Sequence, residues 1–487
     1  MPTPDSEPAI TSAQLATFLD VIARVSGLDP AHPDAVAVRR ATGGLFKQVK
    51  KARRNARRDA ISAADRAVVA ATATGSSQRI DDETSGLPLV STARGATAGT
   101  FERARPCYIC KKNYTQVDAF YHQLCPVCAA LNHAKRDART DLSGRRALLT
   151  GGRAKIGMYI ALRLLRDGAT TTITTRFPND AVRRFRAVPD SADWLHRLRI
   201  VGIDLRDPAQ VVALADSVAD AGHLDILINN AAQTVRRTPG AYAPLAAAES
   251  EPLPAGPLPD VLSFDHVSDA HPLALAGSLA AHPVAHGPAD ASGSDLTRLA
   301  LAAGSASLTK MRAETAIDAA GLVPDRCSTN SWTQRVDEVT ALELLEVQLC
   351  NTTAPFILIA RLRAALAASP ARRTYVVNVS AMEGVFSRGY KGPGHPHTNM
   401  AKAALNMLTR TSAAEMADDG ILMTSVDTGW ITDERPHDTK LRLADEGFHA
   451  PLDLVDGAAR VYDPIVQGEA GVDLFGCFLK DYAPAAW

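Results

Sequence analysis

A chain of 487 residues has room for two to four compact units at ordinary domain sizes. Lysine plus arginine equals aspartate plus glutamate at 53 each, and apolar residues make up 46% against 22% charged. This is a globular mix with no global field to draw nucleic acid or an anionic membrane. The longest apolar runs, such as ALAGSLAAH, are too short and mixed to span a bilayer. MPTPDSEPAI lacks the basic-then-apolar order of a signal peptide, so a cytoplasmic protein without a membrane segment is expected.

Residues 1–71 read as helical. In TSAQLATFLDVIARVSG, Leu15, Phe18, Leu19, Ile22 and Val25 recur at helical spacing, and Thr11 with Gln14 fits a capping box. A basic helix follows, carrying Lys47, Lys50, Lys51, Arg53, Arg54, Arg57 and Arg58. Such a run suits phosphates, a protein partner bearing acid, or plain solvation. Without interleaved aromatics, nucleic acid is the least favoured of these. Residues 72–100 are rich in Gly, Ser and Thr without periodicity and read as a linker.

Residues 101–141 contain CYICKKNYTQVDAFYHQLCPVC, with Cys107, Cys110, Cys125 and Cys128 spaced C-x2-C-x14-C-x2-C. Each CxxC can present two thiolates to one ion, and two such knuckles complete a tetrahedron, the geometry zinc prefers. A four-cysteine set leaves no open position, so the expected Zn2+ is structural. Reduced thiols or a dithiol redox pair are the alternatives. His122 and His133 rank below the cysteines as ligands. Cys327, Cys350 and Cys477 read as small hydrophobes.

From residue 142 to 482 short apolar runs alternate with helical patterns. RRALLT, TTTITT, LRIVGID, LDILINN, TYVVNVS and ILMTSVD read as strands, with amphipathic helices between them. The fold class expected is α/β, a Rossmann-type doubly wound parallel sheet covered on both faces, preceded by the helical segment and a small zinc-ribbon or knuckle module. An irregular insertion rich in Ala, Pro and Gly occupies about 235–330, with helical patterns in LTRLALAAG and LTKMRAETAIDAAG.

Strand RRALLT runs into Gly151-Gly152-Arg153-Ala154-Lys155-Ile156-Gly157 and then a helix. Such a turn lets backbone N–H groups approach a pyrophosphate at a helix N-terminus. In order there follow Asp204-Leu205, Asn229-Asn230-Ala231-Ala232, Asn351 in CNTTAPF, NVSAMEG, Lys402 in TNMAKAALN, and TGWIT with Gly429 and Thr432. This series resembles the short-chain dehydrogenase/reductase family, with its TGxxxGxG, strand-end Asp, NNAG, helix Asn, strand-end Ser, YxxxK and PGxxxT. The resemblance covers about 250 residues, 142–482 less the insertion. It implies cofactor contacts from Gly151, Ile156, Gly157, Asp204, Leu205, Asn230, Ala231, Lys402, Gly429 and Thr432. Lys155 replaces the middle glycine, as in some NADPH-dependent members. Arg176 stands where NAD-preferring members have an acid. Together Arg153, Lys155 and Arg176 point to NADP(H), whose 2′-phosphate a guanidinium binds in bidentate fashion.

The catalytic positions depart from the pattern. Lys402 and Asn351 are present, but Thr398 stands for the tyrosine, and Ala381 for the usual serine, leaving Ser380 beside it. A threonine hydroxyl has no ionised form near neutral pH, so it makes a poor general acid. His395, His397 and Tyr390, in RGYKGPGHPHTNMAK, are the replacement candidates. Two functions follow: an oxidoreductase passing hydride to or from a small carbonyl, alcohol, imine or C=C substrate, or an NADP(H)-binding sensor or scaffold that acts through the zinc module and basic helix. Nucleic-acid binding by those modules is the weaker third. The last helix and strand of the family often pair between copies, so a homo-oligomer is expected, with a protein partner for the N-terminal region as a further possibility.

Overall fold

The computed structural model describes residues 10–76, 79, 89–237, 239–264, 267–272, 320–323 and 327–487. The helical pattern at 296–304, and that at 308–321 except its last two positions, lie outside the described residues. The chain divides into two compact units, Met1–Ala67 with Phe101–Arg103, and Val68–Thr100 with Ala104–Trp487.

In the first unit, α1 (Ser12–Ser26) starts at Thr11, whose hydroxyl accepts from the Gln14 N–H while the Gln14 side chain accepts from the Thr11 N–H. This is the reciprocal cap expected from the sequence. α2 (Pro33–Ala71) runs for 39 residues. The apolar stripe of α1 is not covered: Leu15, Phe18 and Leu19 are exposed, and no α1 residue is buried. The seven cations from Lys47 to Arg58 also face solvent.

Along the chain a hairpin follows, β1 (Thr97–Pro106) and β2 (Asn113–Asp118), and then α3 (Pro126–Arg136). The hairpin begins inside the stretch expected to be linker, because its first residues pair with the end of β2 rather than remaining free. The main sheet is built from β3 (Arg146–Leu149), β4 (Thr170–Thr175), β5 (Leu198–Gly202), β6 (Ile226–Asn229), β7 (Asp260–Ser263), β8 (Thr374–Ser380), β9 (Ile421–Asp427), β10 (Phe478–Lys480) and β11 (Ala483–Ala485). Its order is β11-β10-β9-β8-β6-β3-β4-β5-β7, parallel except for β11.

The α-helices after α3 among the described residues are α4 (Lys155–Arg166), α5 (Pro178–Arg186), α6 (Pro208–Asp220), α7 (Ala243–Glu249), α8 (Ala341–Gln348), α9 (Ala354–Ala367), α10 (Pro396–Asp418), α11 (His437–Asp445) and α12 (Leu454–Glu469). Two apolar layers sandwich the sheet. One joins Ile160 and Leu164 of α4 to Val461 and Ile465 of α12; the other joins Leu214 of α6, Leu358 and Leu362 of α9, and Met416 of α10. Burial on both faces explains why every residue of β8 and β9 is buried, and why their sequences run apolar instead of alternating. Among the described residues, one helical stretch, Ala341–Ala367, is long and apolar enough to cross a membrane, and its apolar side forms part of the second layer.

Beyond β3 the chain winds one way through β4 and β5, then returns to start again at β6 and winds the other way. The crevice at the carboxyl ends of β3 and β6 is therefore the binding position of such sheets. The insertion contributes β7, which extends the sheet beyond β5 with Arg199 opposite Asp260. Four edge residues, three of them exposed, carry too short a pattern to announce a strand in the sequence.

Candidate active site and cysteine cluster

The turn after β3 is held by the loop after β6. Asn230 donates from its side chain to the carbonyls of Thr150 and Gly151 at 3.0 and 3.2 Å, while the Asn230 and Ala231 N–H groups both donate to the Thr150 hydroxyl. Gly151 has φ +71°, and a Cβ on Gly157 would lie 2.0 Å from the Gly151 carbonyl oxygen, so both need glycine. Lys155 keeps the left-handed backbone, φ +53°, at the position where the motif has its middle glycine. The strain of such a residue is about 1–2 kcal/mol. The N-cap Ala154 makes no side-chain hydrogen bond and the first turn of α4 carries no acid, which suits the N-terminus to an anion. Ile156 packs beside Gly457 of α12.

Charged groups around this turn are already engaged. Arg153 pairs with Asp180, donates to the Ala320 carbonyl at 2.9 Å, and lies over Phe177. Arg176 lies over the Tyr242 ring, 5.2 Å from its centroid, and donates to its hydroxyl at 3.3 Å. Tyr242, Leu245, Ala320 and Leu322 from the insertion pack on Phe177 and Ala154, so the insertion folds back on the turn. Asp204 accepts from Arg206 at 2.6–3.1 Å and meets His271 at 3.2 Å. Burial would raise its pKa, but Arg206 and His271 hold the carboxyl well below the usual range. Arg206 reaches Glu346 at 2.8 Å, and Glu346 also accepts from Arg236 and Gln233. Leu205 is buried among the apolar residues of the α6 layer.

Gly429, φ +76°, opens the loop after β9, and the Thr432 hydroxyl donates to Glu434 at 3.2 Å. Burial would raise the Glu434 pKa, yet the charges of Lys155, Lys440 and Arg237 bring it below its ordinary value.

Lys402 is buried on α10 and its Nζ donates to the Val379 carbonyl at 2.8 Å, next to Ser380. Burial lowers its pKa to about 8. Thr398 lies one helical turn before it. Asn351 sits in a single π turn, Leu349–Thr353, between α8 and α9, a distortion frequent at functional sites. Its side chain clasps Gln233, accepting from the N–H at 2.7 Å and donating to the carbonyl at 3.1 Å. Ser380 Oγ, Thr398 Oγ1 and both ring nitrogens of His397 are buried without a hydrogen-bond partner. His397 Nε2 lies 3.7 Å from Glu343 Oε1, and Glu343 also accepts from the Ser331 hydroxyl. Burial would raise the Glu343 pKa, but His397 and Ser331 keep it below the ordinary value.

The other candidates lie elsewhere. His395, φ +46°, stacks on Trp332 with centroids 3.9 Å apart, and its Nδ1 is 2.8 Å from the Trp332 carbonyl oxygen. Tyr390 is 75% exposed, its phenol standing in solvent, while Lys391 donates to the Met382 and Glu383 carbonyls. Glu343 also belongs to the group around His397, and its place in the sequence gives no sign of it. It stands three residues after Thr340, whose hydroxyl accepts from the Glu343 N–H at 3.2 Å, and so reads as a capping glutamate. In the fold its carboxylate turns to Ser331 and His397 instead.

A family model described as short chain dehydrogenase matches residues 145–247. Uncharacterized protein R665 of Acanthamoeba polyphaga mimivirus is 31% identical over 379 residues, 74% of this chain and 71% of that one. Ketoacyl reductase HetN of Nostoc is 30% identical over 105 residues, 21% of this chain and 36% of its own length. The chain belongs to the short-chain dehydrogenase/reductase family. Its match spans only about a third of HetN and of an oxidoreductase from Streptomyces antibioticus. Among solved structures, a short chain dehydrogenase from Burkholderia cenocepacia in complex with NADP is 21% identical, with 70% of this chain and 97% of that one covered, at a TM-score of 0.42. NADPH-bound carbonyl reductase from chicken fatty liver is 18% identical, covering 73% and 98%, at 0.41.

This short-chain dehydrogenase/reductase also carries a module before β3. The Sγ atoms of Cys107, Cys110, Cys125 and Cys128 lie within 4.8 Å of one another, and Cys110 and Cys125 are 3.6 Å apart. Tetrahedral zinc with Zn–S bonds of ~2.3 Å requires sulfurs about 3.8 Å apart, so the set fits such an ion. Lys111 takes φ +61° inside the first knuckle, and the Cys125 N–H donates to Cys107 Sγ at 3.3 Å, as knuckles require. His122 is held by Thr74 and Gln123, and His133 by Asp118, so neither histidine joins the cluster. The module covers α12: Lys135 meets Asp463 and Arg136 meets Asp453 at 2.5 Å each, and Arg460 reaches Asn132 at 3.0 Å. The helix expected to pair between copies therefore packs on the chain's own α3.

Proposed function

We propose that this protein is an NADP(H)-dependent oxidoreductase in which His397, backed by Glu343, moves the proton that tyrosine moves elsewhere in the family, and that its four cysteines hold a structural zinc ion. The observation that carries the reading is that Ser380, next to the Val379 carbonyl that holds Lys402, and His397 and Thr398, about one turn before Lys402 on α10, all have buried polar atoms without a hydrogen bond. Buried polar groups are nearly always satisfied within the chain or by what it binds, and this set is suited to a polar substrate. When bound, the nicotinamide supplies the hydride donor or acceptor.

The chain's own residues then have distinct tasks. The glycine turn with Gly151, Lys155 and Gly157 offers N–H groups and a cation to a pyrophosphate, and Arg176 offers its guanidinium to a 2′-phosphate. Lys402 holds ribose hydroxyls, Ser380 and Thr398 orient the reacting group, and Asn351 keeps the π turn against Gln233. Substrates in this scheme are small carbonyls, alcohols, imines or activated double bonds. Calorimetric titration of the zinc-loaded protein with NADPH and NADH tests the reading, which falls if neither binds.

Replacing Arg176 by glutamate should weaken NADPH about 10- to 100-fold, the range for a charge-assisted hydrogen bond, while NADH changes little or improves. An equal loss for both cofactors would remove Arg176 from the phosphate site. Glu434→Gln should act in the opposite direction. Its carboxylate competes for Lys155, Lys440 and Arg237, so neutralising it should tighten NADPH about fivefold and steepen the salt dependence. Weaker binding in that variant would show that Glu434 supports the site instead.

A second reading, binding without turnover, draws support from the engagement of Arg153 by Asp180 and of Asp204 by Arg206 and His271. Cofactor affinity without NADPH oxidation across a substrate panel would favour it.

A further inference from the structure

We infer that the cysteine module is a positioning device for the loop Thr428–Leu452, acting through Tyr108 and Arg79. The meaning of this for cofactor binding rests on the reading above. The loop leaves β9, carries Thr432, Glu434 and α11, and returns to the start of α12. It holds Gly429 and Thr432, cofactor positions in that reading, and Glu434, whose carboxyl is kept below its ordinary pKa by the charges of Lys155, Lys440 and Arg237. Its two ends are held by residues of the module and of the stretch before it, through side chains that reach backbone groups.

At the outgoing end, the Trp430 N–H donates to the hydroxyl of Tyr108 at 3.0 Å. Tyr108 sits inside the first knuckle, between Cys107 and Cys110, and its own N–H donates to the Gln123 carbonyl at 2.8 Å. Any shift of the knuckle is thus passed to Trp430 through one residue. At the returning end, Gln123 donates to the His449 carbonyl at 3.2 Å. Arg79 spans both ends. Its guanidinium, 5% exposed, donates to the carbonyls of Thr74, Ile431, Ala450 and Leu452 at 2.7 to 3.2 Å. The planar fork of an arginine can bridge several carbonyls in a way that a lysine ammonium on a flexible stem does not. Thr74 in turn is tied to Phe120 and His122 of the module.

This base is not what a loop that merely crosses the surface would need, since three of the four carbonyls come from the two ends of one excursion. Closing that excursion at its root limits how far Gly429 and Thr432, which flank the held Trp430 and Ile431, can move. The module therefore sets the loop's rest position, and metal binding stabilises the knuckle that holds Tyr108.

The test uses the full-length, metal-loaded protein and reads amide hydrogen exchange. In Tyr108→Phe, exchange at Trp430 and across 428–452 should speed about tenfold, as expected for one lost hydrogen bond, with metal content and protection of β8 and β9 unchanged. Arg79→Met should loosen both ends further, and Arg79→Lys should restore only part. Chelating the metal should reproduce the Arg79→Met pattern at 428–452. Unchanged exchange in this segment in both Tyr108→Phe and the chelated protein would overturn the proposal. NADPH affinity supplies the second arm: a loosened segment should weaken it about fivefold, because Gly429 and Thr432 then lose their fixed place, and a loosened segment with unaltered affinity would overturn the link to the cofactor. If the wild-type protein binds no NADPH, the oxidoreductase reading fails, while the exchange result still decides whether the module positions the loop.

Discussion

In the His397→Asn variant, NADPH-dependent turnover should fall by about two to three orders of magnitude, with cofactor affinity within about threefold of wild type. General acid–base groups contribute roughly 10²–10⁴ in rate, and His397 is the buried imidazole next to the position where the family carries its tyrosine. Asparagine keeps much of the size and polarity, so loss of packing does not explain such a drop. Thr398→Ala should cost about fivefold or less, because a hydroxyl that cannot ionise near neutral pH only orients the substrate. Glu343→Gln should fall between the two, since it leaves the imidazole in place without the charge 3.7 Å away. The measurement is NADPH oxidation with the best substrate from a carbonyl and imine panel. If Thr398→Ala is the crippled variant and His397→Asn the mild one, the assignment of the proton to His397 is wrong. The pH dependence adds a second check. Burial brings the Lys402 ammonium down to about 8, so it is charged at pH 7 and largely neutral by pH 9. NADPH affinity that depends on this cation should decline as pH rises through about 8, and Lys402→Gln should remove that decline. For stability the sign is reversed. The unfolded chain holds this proton up to about pH 10, so the folded state gains stability from Lys402 as pH rises from about 8 to 10.

Paired substitution of Cys107 and Cys128 by serine should lower the thermal midpoint by about 5 °C and abolish metal binding. A structural four-cysteine site supplies much of the folding free energy of a module this small, and losing ~4 kcal/mol shifts the midpoint of a domain of this size by roughly that amount. The effect reaches further than the module. Without it the Arg136 pairs with Asp453 and Asp456, the Tyr121 hydrogen bond to Asp456 and the Arg460 contact with Asn132 are lost together. Asp456 and Arg460 are both almost fully buried, and a buried charge left without its partner is far more destabilising than a surface one. Cys327→Ser, outside the cluster, should stay within about 2 °C. Metal analysis of the purified chain should give one ion per protein. A serine pair that retains both ion and midpoint would remove the cluster as a metal site.

Much of this architecture could be read along the chain because it depends on near neighbours. The glycine turn needs a left-handed residue at Gly151 and no side chain at Gly157, so strand, turn and helix leave a local mark. The two CxxC knuckles are specified by spacing, and the seven-residue runs of β8 and β9 by continuous burial. The cap of α1 likewise lies within four residues.

Which groups those elements would meet was not legible. Asp204 reads as a cofactor residue, but His271, 67 positions away, shares its carboxylate with Arg206. Arg153 and Arg176 read as phosphate ligands, yet Asp180 and Tyr242 hold them. Glu343 reads as a cap until Ser331 and His397 close on it, and β7 is a strand only because β5 offers an edge. The sequence by itself determined the core strands β3 to β6, β8 and β9 with their intervening helices, the glycine turn and the four thiols, since each follows from backbone geometry or spacing over a few residues, and its motifs carried the family resemblance. Only the tertiary structure decided the partners of the buried charges, the seat of the module on α12 and the root of the loop at Arg79. A charge taken out of water must find its complement, and the chain positions that meet in space are tens to hundreds of residues apart.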